Sequence, residues 1–120
     1  MSKTIMIVED YADSCEMMRI LIQYLGYNVI EAIDGSDAVE KFAAFHPEFI
    51  FMDLAMPIMD GATATKLIRE SEGGDKVSIV ALTGFGNTSF EKTVKAGFDG
   101  VMVKPLSIEN LEPLLNYYLS

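Results

Sequence analysis

Five short apolar runs, separated by segments of helical length, constrain the fold of this chain more than any other feature. The runs are Thr4–Val8, Asn28–Ala32, Phe49–Met52, Ser78–Leu82 and Val101–Val103. Runs this short and apolar are typical of strands buried on both faces of a parallel sheet. Five strand-then-helix units predict a three-layer α/β/α sandwich with right-handed crossovers. With 120 residues, half of them hydrophobic, we expect one domain over residues 1–120.

Capping and turn residues predict five helices between and after these runs. The predicted starts lie near Asp13 or Ser14, near Ser36, after Asp60-Gly61, near Asn87 or Thr88, and at Ser107. The first four predicted helices end at Gly26, before Pro47, by Gly73-Gly74 and at Gly97. Pro113 lies six residues after the Ser107 cap and has no amide hydrogen to donate, so we expect a kink or a late start in the last helix.

Charge and cysteine content exclude several classes of protein. The net charge of −9 argues against direct binding to nucleic acid or to an anionic membrane. A single cysteine, Cys15, excludes an internal disulfide framework and a cysteine-rich zinc site. The apolar run near the amino terminus is too short for a signal peptide or a membrane span. We therefore expect a cytoplasmic protein.

Polar residues follow four of the five predicted strands and define a candidate site. Glu9 and Asp10 follow the first run, and Asp53 follows the third. Thr83 follows the fourth run, and Lys104 follows the fifth. Ligand sites of open parallel sheets lie beyond the carboxyl ends of the strands, so we expect these side chains to share one small pocket.

The residue types at this site suit phosphoryl transfer. Three clustered carboxylates repel one another unless a cation lies between them, and a site of oxygen ligands alone favours Mg²⁺. An aspartate can act as a nucleophile and form an aspartyl phosphate, and Lys104 adds a positive charge for the transferred group. Taken singly, each residue is more often a cap, a turn or a surface residue. Their convergence at one sheet edge carries the interpretation.

The motifs around this site resemble those of a known family. The segment Asp53-Leu54-Ala55-Met56-Pro57-Ile58-Met59-Asp60-Gly61 resembles the phosphoacceptor loop of the CheY-like receiver domain of two-component response regulators. Four shorter motifs fit the same family: Val8-Glu9-Asp10, Ala32-Ile33-Asp34-Gly35, Thr83-Gly84 and Lys104-Pro105. The resemblance covers essentially the whole chain and implies the strand order 2-1-3-4-5.

The resemblance implies a role for each acidic residue of the site. Asp53 accepts a phosphoryl group from a histidine of a sensor histidine kinase or a histidine phosphotransfer protein. Mg²⁺ is the implied cofactor, held by Asp10, Asp53 and the backbone carbonyl of Ala55, with Glu9 reaching the ion through water.

The resemblance also implies a switch. Lys104 pairs with the phosphoryl oxygens, Thr83 turns inward to bind them, and the peptide bond between Lys104 and Pro105 is cis. Members of the family usually carry a Phe or Tyr three residues before the lysine, where this chain has Val101. Valine has no ring that could rotate behind Thr83, so we expect the signal to leave by another surface.

The predicted function is therefore a phosphorylation-dependent receiver that switches the binding of a downstream protein and turns over no external substrate. The alternative is a phosphorylation-independent interaction module with the same fold, and only Val101 favours it. A flavin-binding protein would need a neutral phosphate loop in place of Glu9–Asp13. A haloacid-dehalogenase-type phosphatase would need a second acid at position 55, which is Ala55.

Two helices bear on the partners of this chain. The last predicted helix contains Glu109 and Glu112 but no Lys or Arg, so a symmetric dimer held by ion pairs across that helix is not expected, and we predict a monomer. In the first predicted helix, Met17, Ile20 and Tyr24 form an apolar stripe beside the stripe expected to face the sheet. This second stripe is either core or an exposed patch that docks a helical phosphodonor.

Overall fold

The computed structural model describes residues 3–54, 60–84 and 95–119. The strands are β1 Thr4–Val8, β2 Asn28–Ala32, β3 Phe49–Asp53, β4 Ser78–Thr83 and β5 Gly100–Val103. The helices of the described ranges are α1 Ala12–Tyr24, α2 Gly35–Phe45, α3 Gly61–Glu70 and α4 Ile108–Leu119. Each predicted apolar run is a strand, within one residue at either end.

The strands form one parallel sheet in the order β2-β1-β3-β4-β5, as the family resemblance implies. Each of the five strands is therefore oriented with its carboxyl end at the same edge of the sheet. The register aligns Asp53 of β3 with Leu82 of β4, and Thr83 of β4 with Val103 of β5. The predicted site residues consequently meet at this edge.

Two hydrophobic clusters lie on opposite faces of the sheet. One joins the sheet to α1 and α4 through side chains such as Ile22 and Leu111, and the other joins it to α2 and α3 through Phe42 and Ile68. The central strands contribute to both clusters, because alternate residues of β1 and β3 point to opposite faces and are fully buried. This arrangement confirms the predicted three-layer sandwich.

The start of α1 differs from the prediction of a cap at Asp13 or Ser14. The helix begins at Ala12, and Tyr11 occupies the N-cap position without a side-chain hydrogen bond. The carbonyl of Tyr11 accepts the first helical hydrogen bond, from the amide of Cys15 at 3.0 Å. Burial of Cys15 in the sheet-facing cluster fixes the first turn here, so packing outweighs the missing cap.

Aspartates cap the next two helices. Asp34 accepts a hydrogen bond from the amide of Asp37 at 2.8 Å, so α2 begins at Gly35, close to the predicted start near Ser36. Asp60 accepts from the amide of Thr63 at 2.7 Å and begins α3 where it was predicted. In both helices a short acidic side chain satisfies an otherwise unpaired amide of the first turn.

The last helix, α4, follows Ser107 as predicted, and the Oγ atom of Ser107 accepts a hydrogen bond from the amide of Asn110 at 3.3 Å. Of the two expected effects of Pro113, the late start is wrong, because α4 runs from Ile108 through Pro113, and the kink stays a prediction. Leucines on either side of Pro113 are buried against the sheet, and this packing offsets the one lost hydrogen bond.

The predicted helix from Asn87 or Thr88 lies mostly outside the described residues. Its predicted end is described: Gly97 has a φ of 102°, the left-handed conformation in which helices commonly end. Within the described ranges, no helix is both long and apolar enough to cross a membrane.

Candidate functional site

The candidate site lies at the carboxyl edge of the sheet. Asp53 is the last residue of β3 and Thr83 is the last residue of β4, and both side chains are buried. Lys104 directly follows β5, and its amide donates a hydrogen bond to the carbonyl of Thr83 at 2.8 Å. The amide of Leu54 donates to the carbonyl of Leu82 at 3.1 Å. These backbone bonds hold the carboxyl ends of three adjacent strands side by side.

Three carboxylates meet at this edge as predicted. Glu9, Asp10 and Asp53 each place one carboxylate oxygen within 4.8 Å of the others. Glu9 and Asp53 are buried, whereas Asp10 is exposed at the mouth of the site. An all-oxygen donor set this close, with one ligand facing solvent, fits a hard divalent cation such as Mg²⁺ that keeps part of its water shell.

Lys104 lies between the two buried carboxylates. Its Nζ atom is 2.7 Å from Oε2 of Glu9 and 3.3 Å from Oδ2 of Asp53. Burial raises the pKa of Glu9, and the hydrogen bond from Lys104 acts against that rise. Burial alone would lower the pKa of Lys104, but the two carboxylates outweigh it and the pKa is raised. The ammonium therefore stays charged and neutralises part of the acidic cluster.

Gly61 positions Asp53 from the other side, a role that sequence reasoning missed. A Cβ atom at Gly61 would lie 2.3 Å from the backbone oxygen of Asp53, closer than any real contact allows. The start of α3 can approach the end of β3 only because this residue has no side chain. The sequence signal was the Asp60-Gly61 pair, which was assigned only to the helix start and to the family motif.

The exposed face of α1 continues from this site. Met17 is 61% exposed, Ile20 54% and Tyr24 79%, so the second apolar stripe is surface and not core. A largely apolar cleft of about 280 Å³ separates the start of α1 from the loop after β5. Its lining includes Ser14, Met17, Met18, Lys104 and Leu106. The apolar surface of α1 is therefore continuous, through Met17, with a cleft that Lys104 also lines.

The remaining predicted site residues divide into three cases. The peptide bond between Lys104 and Pro105 is cis, as predicted. Val101 pairs with Ala81 in the sheet and packs partly buried against the cluster under α2 and α3. Ala55, the predicted source of a carbonyl ligand, lies outside the described residues.

A five-stranded parallel sheet with an acidic triad and a lysine at its carboxyl edge defines a receiver-like protein. Residues 5–116 match the family model of the response regulator receiver domain. The chain belongs to this family.

Individual relatives agree with this assignment. The polar-differentiation response regulator DivK of Brucella ovis is 29% identical over 120 residues, covering 99% of this chain and 98% of DivK. The receiver domain of the Pseudomonas aeruginosa sensor histidine kinase PA1611, solved with a magnesium ion coordinated in its active-site cleft, superposes with a TM-score of 0.90. It is 29% identical, and 98% of each chain is covered.

A third similar structure is a complex of two proteins. The receiver domain of the Saccharomyces cerevisiae response regulator Ssk1, solved with the histidine phosphotransfer protein Ypd1, is 25% identical with a TM-score of 0.87. The similarity covers 98% of this chain and 88% of that domain.

Proposed function

We propose that this receiver accepts a phosphoryl group on Asp53 in a Mg²⁺-dependent reaction and thereby switches the binding of a downstream protein. The observation that carries the proposal is Lys104, whose ammonium lies 2.7 Å from Glu9 and 3.3 Å from Asp53 beside an acidic triad. A buried aspartate next to a cation and a potential metal site is the inventory that phosphoryl transfer to a carboxylate requires.

In the proposed reaction a carboxylate oxygen of Asp53 attacks the phosphorus of a phosphohistidine. A new P–O bond forms, the P–N bond breaks, and its electron pair stays on the imidazole, which takes up a proton. Lys104 moves its hydrogen bond from the carboxylates to a phosphoryl oxygen, and the buried hydroxyl of Thr83 donates another. Asp10, Asp53, Glu9 and the carbonyl of Ala55 would hold Mg²⁺, which neutralises charge on the transferred group.

The proposed donor is a histidine on a sensor kinase or a histidine phosphotransfer protein. The exposed stripe of Met17, Ile20 and Tyr24, continuous with the cleft beside Lys104, supports docking of a helical donor at this surface. The yeast neighbour solved with a phosphotransfer protein is consistent with such a partner.

Docking is tested with Tyr24→Ser. We expect slower phosphotransfer from the cognate kinase and unchanged phosphorylation by acetyl phosphate, because the substitution changes the surface and not the chemistry. Unchanged transfer from the kinase would contradict docking at this helix.

The net charge of −9 and the absence of basic residues from the last helix support proposals on location, oligomeric state and partners. We propose a single receiver domain over residues 1–120 that acts in the cytoplasm as a monomer, with no nucleic-acid or membrane binding and no turnover of an external substrate. Its only catalysis is its own phosphorylation and dephosphorylation.

A phosphorylation-independent interaction module is the second candidate. It is favoured by Val101, which is packed in the sheet and has no ring to rotate.

The two candidates are separated by incubating the protein with acetyl phosphate and measuring its intact mass. The proposal expects one added phosphoryl group with Mg²⁺, none after chelation, and none in Asp53→Asn. Asp75→Asn makes the same change at an exposed position remote from the site and should be phosphorylated normally. A wild-type protein that gains no phosphoryl group would favour the interaction module.

A further inference from the structure

A dense set of hydrogen bonds fixes the amino end of β5, at the opposite edge of the sheet from Asp53. The Oδ2 atom of Asp99 accepts from the amide of Ile79 at 2.7 Å and from Nη2 of Arg69 at 2.9 Å. The backbone amide of Asp99 donates to the carbonyl of Ile79 at 2.7 Å. Asp99 is thus joined to the start of β4 by two hydrogen bonds, both with Ile79.

Arg69 extends this set within its own layer. Its Nε atom donates to the carbonyl of Gly97 at 2.9 Å, and its Nη1 atom donates to the carbonyls of Gly74 at 2.8 Å and Val77 at 2.5 Å. Because the guanidinium is planar and presents several donors in a fixed geometry, these contacts orient the turn before β5 as well as attach it.

The opposite layer reaches the same residue. The hydroxyl of Tyr118 in α4 donates to the carbonyl of Asp99 at 3.2 Å, and the Tyr118 ring packs edge-on against Phe49. We call Arg69, Ile79, Asp99 and Tyr118 the Asp99 anchor. It clamps the start of β5 from α3, from β4 and from α4 together.

At the carboxyl end of β5, the described restraints include the contacts of the Lys104 ammonium with Glu9 and Asp53, which phosphorylation is proposed to break. Among the described strands β5 pairs with β4 alone, so it is an edge strand. At this end the backbone bond from Lys104 to Thr83 continues the pairing, and the side chain of Val103 is 48% exposed. Lys104, the residue proposed to change partners on phosphorylation, directly follows Val103.

We propose that β5 transmits phosphorylation as a lever whose fixed point is the Asp99 anchor and whose moving end is Val103–Lys104. The inference rests on the proposed function, since Lys104 must leave Glu9 and Asp53 for a phosphoryl oxygen. Because its amino end is held, β5 converts that displacement into a bend, so its N–H bonds reorient little beside the anchor and most at Val103, and the surface around Val103 changes. The lever needs no aromatic ring at position 101, where this chain has valine.

The bend is measured by N–H residual dipolar couplings with and without beryllofluoride and Mg²⁺, which mimic a phosphoryl group on aspartate. These couplings report the orientation of each N–H bond, so they distinguish a bend from a rigid tilt of the whole strand and from a local charge effect. We expect changed couplings at Val103 and Lys104 and unchanged couplings at Asp99 and Gly100. Equal changes at both ends of β5 would overturn the lever.

Two variants test whether the anchor matters. In Arg69→Met we expect the beryllofluoride-induced change in the Val103 coupling to fall by about twofold or more. The Gly100 coupling should now change as well, because the fixed point is lost. Tyr118→Phe removes only the hydroxyl and should show a smaller change in the same direction, which keeps the test available if Arg69→Met does not fold. Lys66→Met, an exposed change on the same helix, serves as the control.

The rate of phosphorylation by acetyl phosphate should stay within about twofold of the wild-type rate in all three variants, since none of the substituted residues contacts the site. A wild-type response at Val103 that both anchor variants retain in full overturns the lever and leaves the proposed function intact. A wild-type protein whose Lys104 does not respond to beryllofluoride at all overturns the proposed function, and the lever with it.

Discussion

Lys104→Met tests the electrostatic design of the site. The side chains of Glu9 and Asp53 are 2% and 8% exposed, and the Lys104 ammonium is the described cation that contacts both. Removing one partner of a buried ion pair costs about 3–5 kcal/mol, and the 22% exposure of Lys104 places this case at the lower end. We expect a loss of about 3 kcal/mol in unfolding free energy at pH 7 in chelator, or roughly 10 °C in Tm.

Urea denaturation with and without Mg²⁺ measures this effect. Mg²⁺ should stabilise Lys104→Met more than wild type, because the cation replaces the missing charge between the carboxylates. Lys41→Met is the matched control: Lys41 pairs with Asp37 at 3.1 Å on the surface, and its loss should cost no more than about 1 kcal/mol. Equal losses in the two variants, or equal stabilisation of Lys104→Met and wild type by Mg²⁺, would show that Lys104 does not neutralise the buried carboxylates.

Three further substitutions and the reactivity of one thiol have defined outcomes. Because burial raises the pKa of Glu9 above 4.5 in the folded state, the stability that Glu9 contributes in chelator is lost as pH rises above 4.5. The unfolding free energy of Glu9→Gln relative to wild type should therefore rise with pH in urea melts at several pH values. Gly61→Ala should lose about 2 kcal/mol or more by urea denaturation, because its Cβ would meet the backbone oxygen of Asp53 at 2.3 Å. Thr65→Val should gain about 1 kcal/mol in the same assay, because the buried Thr65 hydroxyl has no hydrogen-bond partner among the residues that the structure describes. Burial and the Glu31 hydrogen bond raise the pKa of Cys15 to about 12, so its thiol should react with a disulfide reagent far more slowly in the folded protein than in urea.

The sheet and the site could be predicted because both depend on local patterns. A run such as Phe49–Met52 indicates a buried strand, and Asp53 is the first polar residue after the apolar run. Once parallel strands are inferred, topology brings their carboxyl ends together. The strand order needed the family resemblance, since composition and periodicity do not order strands.

Other features depend on contacts between distant segments. Whether Met17, Ile20 and Tyr24 are core or surface depends on where α4 packs, and the sequence left both possibilities open. The Asp99 anchor joins four residues from α3, β4, α4 and the turn before β5, and no spacing along the chain brings them together. The start of α1 at Ala12 likewise follows from burial of the first turn, which outweighed the preference for a polar cap.

The proposed function requires that Asp53 carries the phosphoryl group. This is tested by reduction of the phosphorylated protein with borohydride, which converts an aspartyl phosphate to homoserine, followed by peptide mass mapping. We expect homoserine at position 53 alone, dependent on Mg²⁺ during phosphorylation. Homoserine at Asp10, or no conversion in a protein that carries added phosphate, would contradict the proposed function.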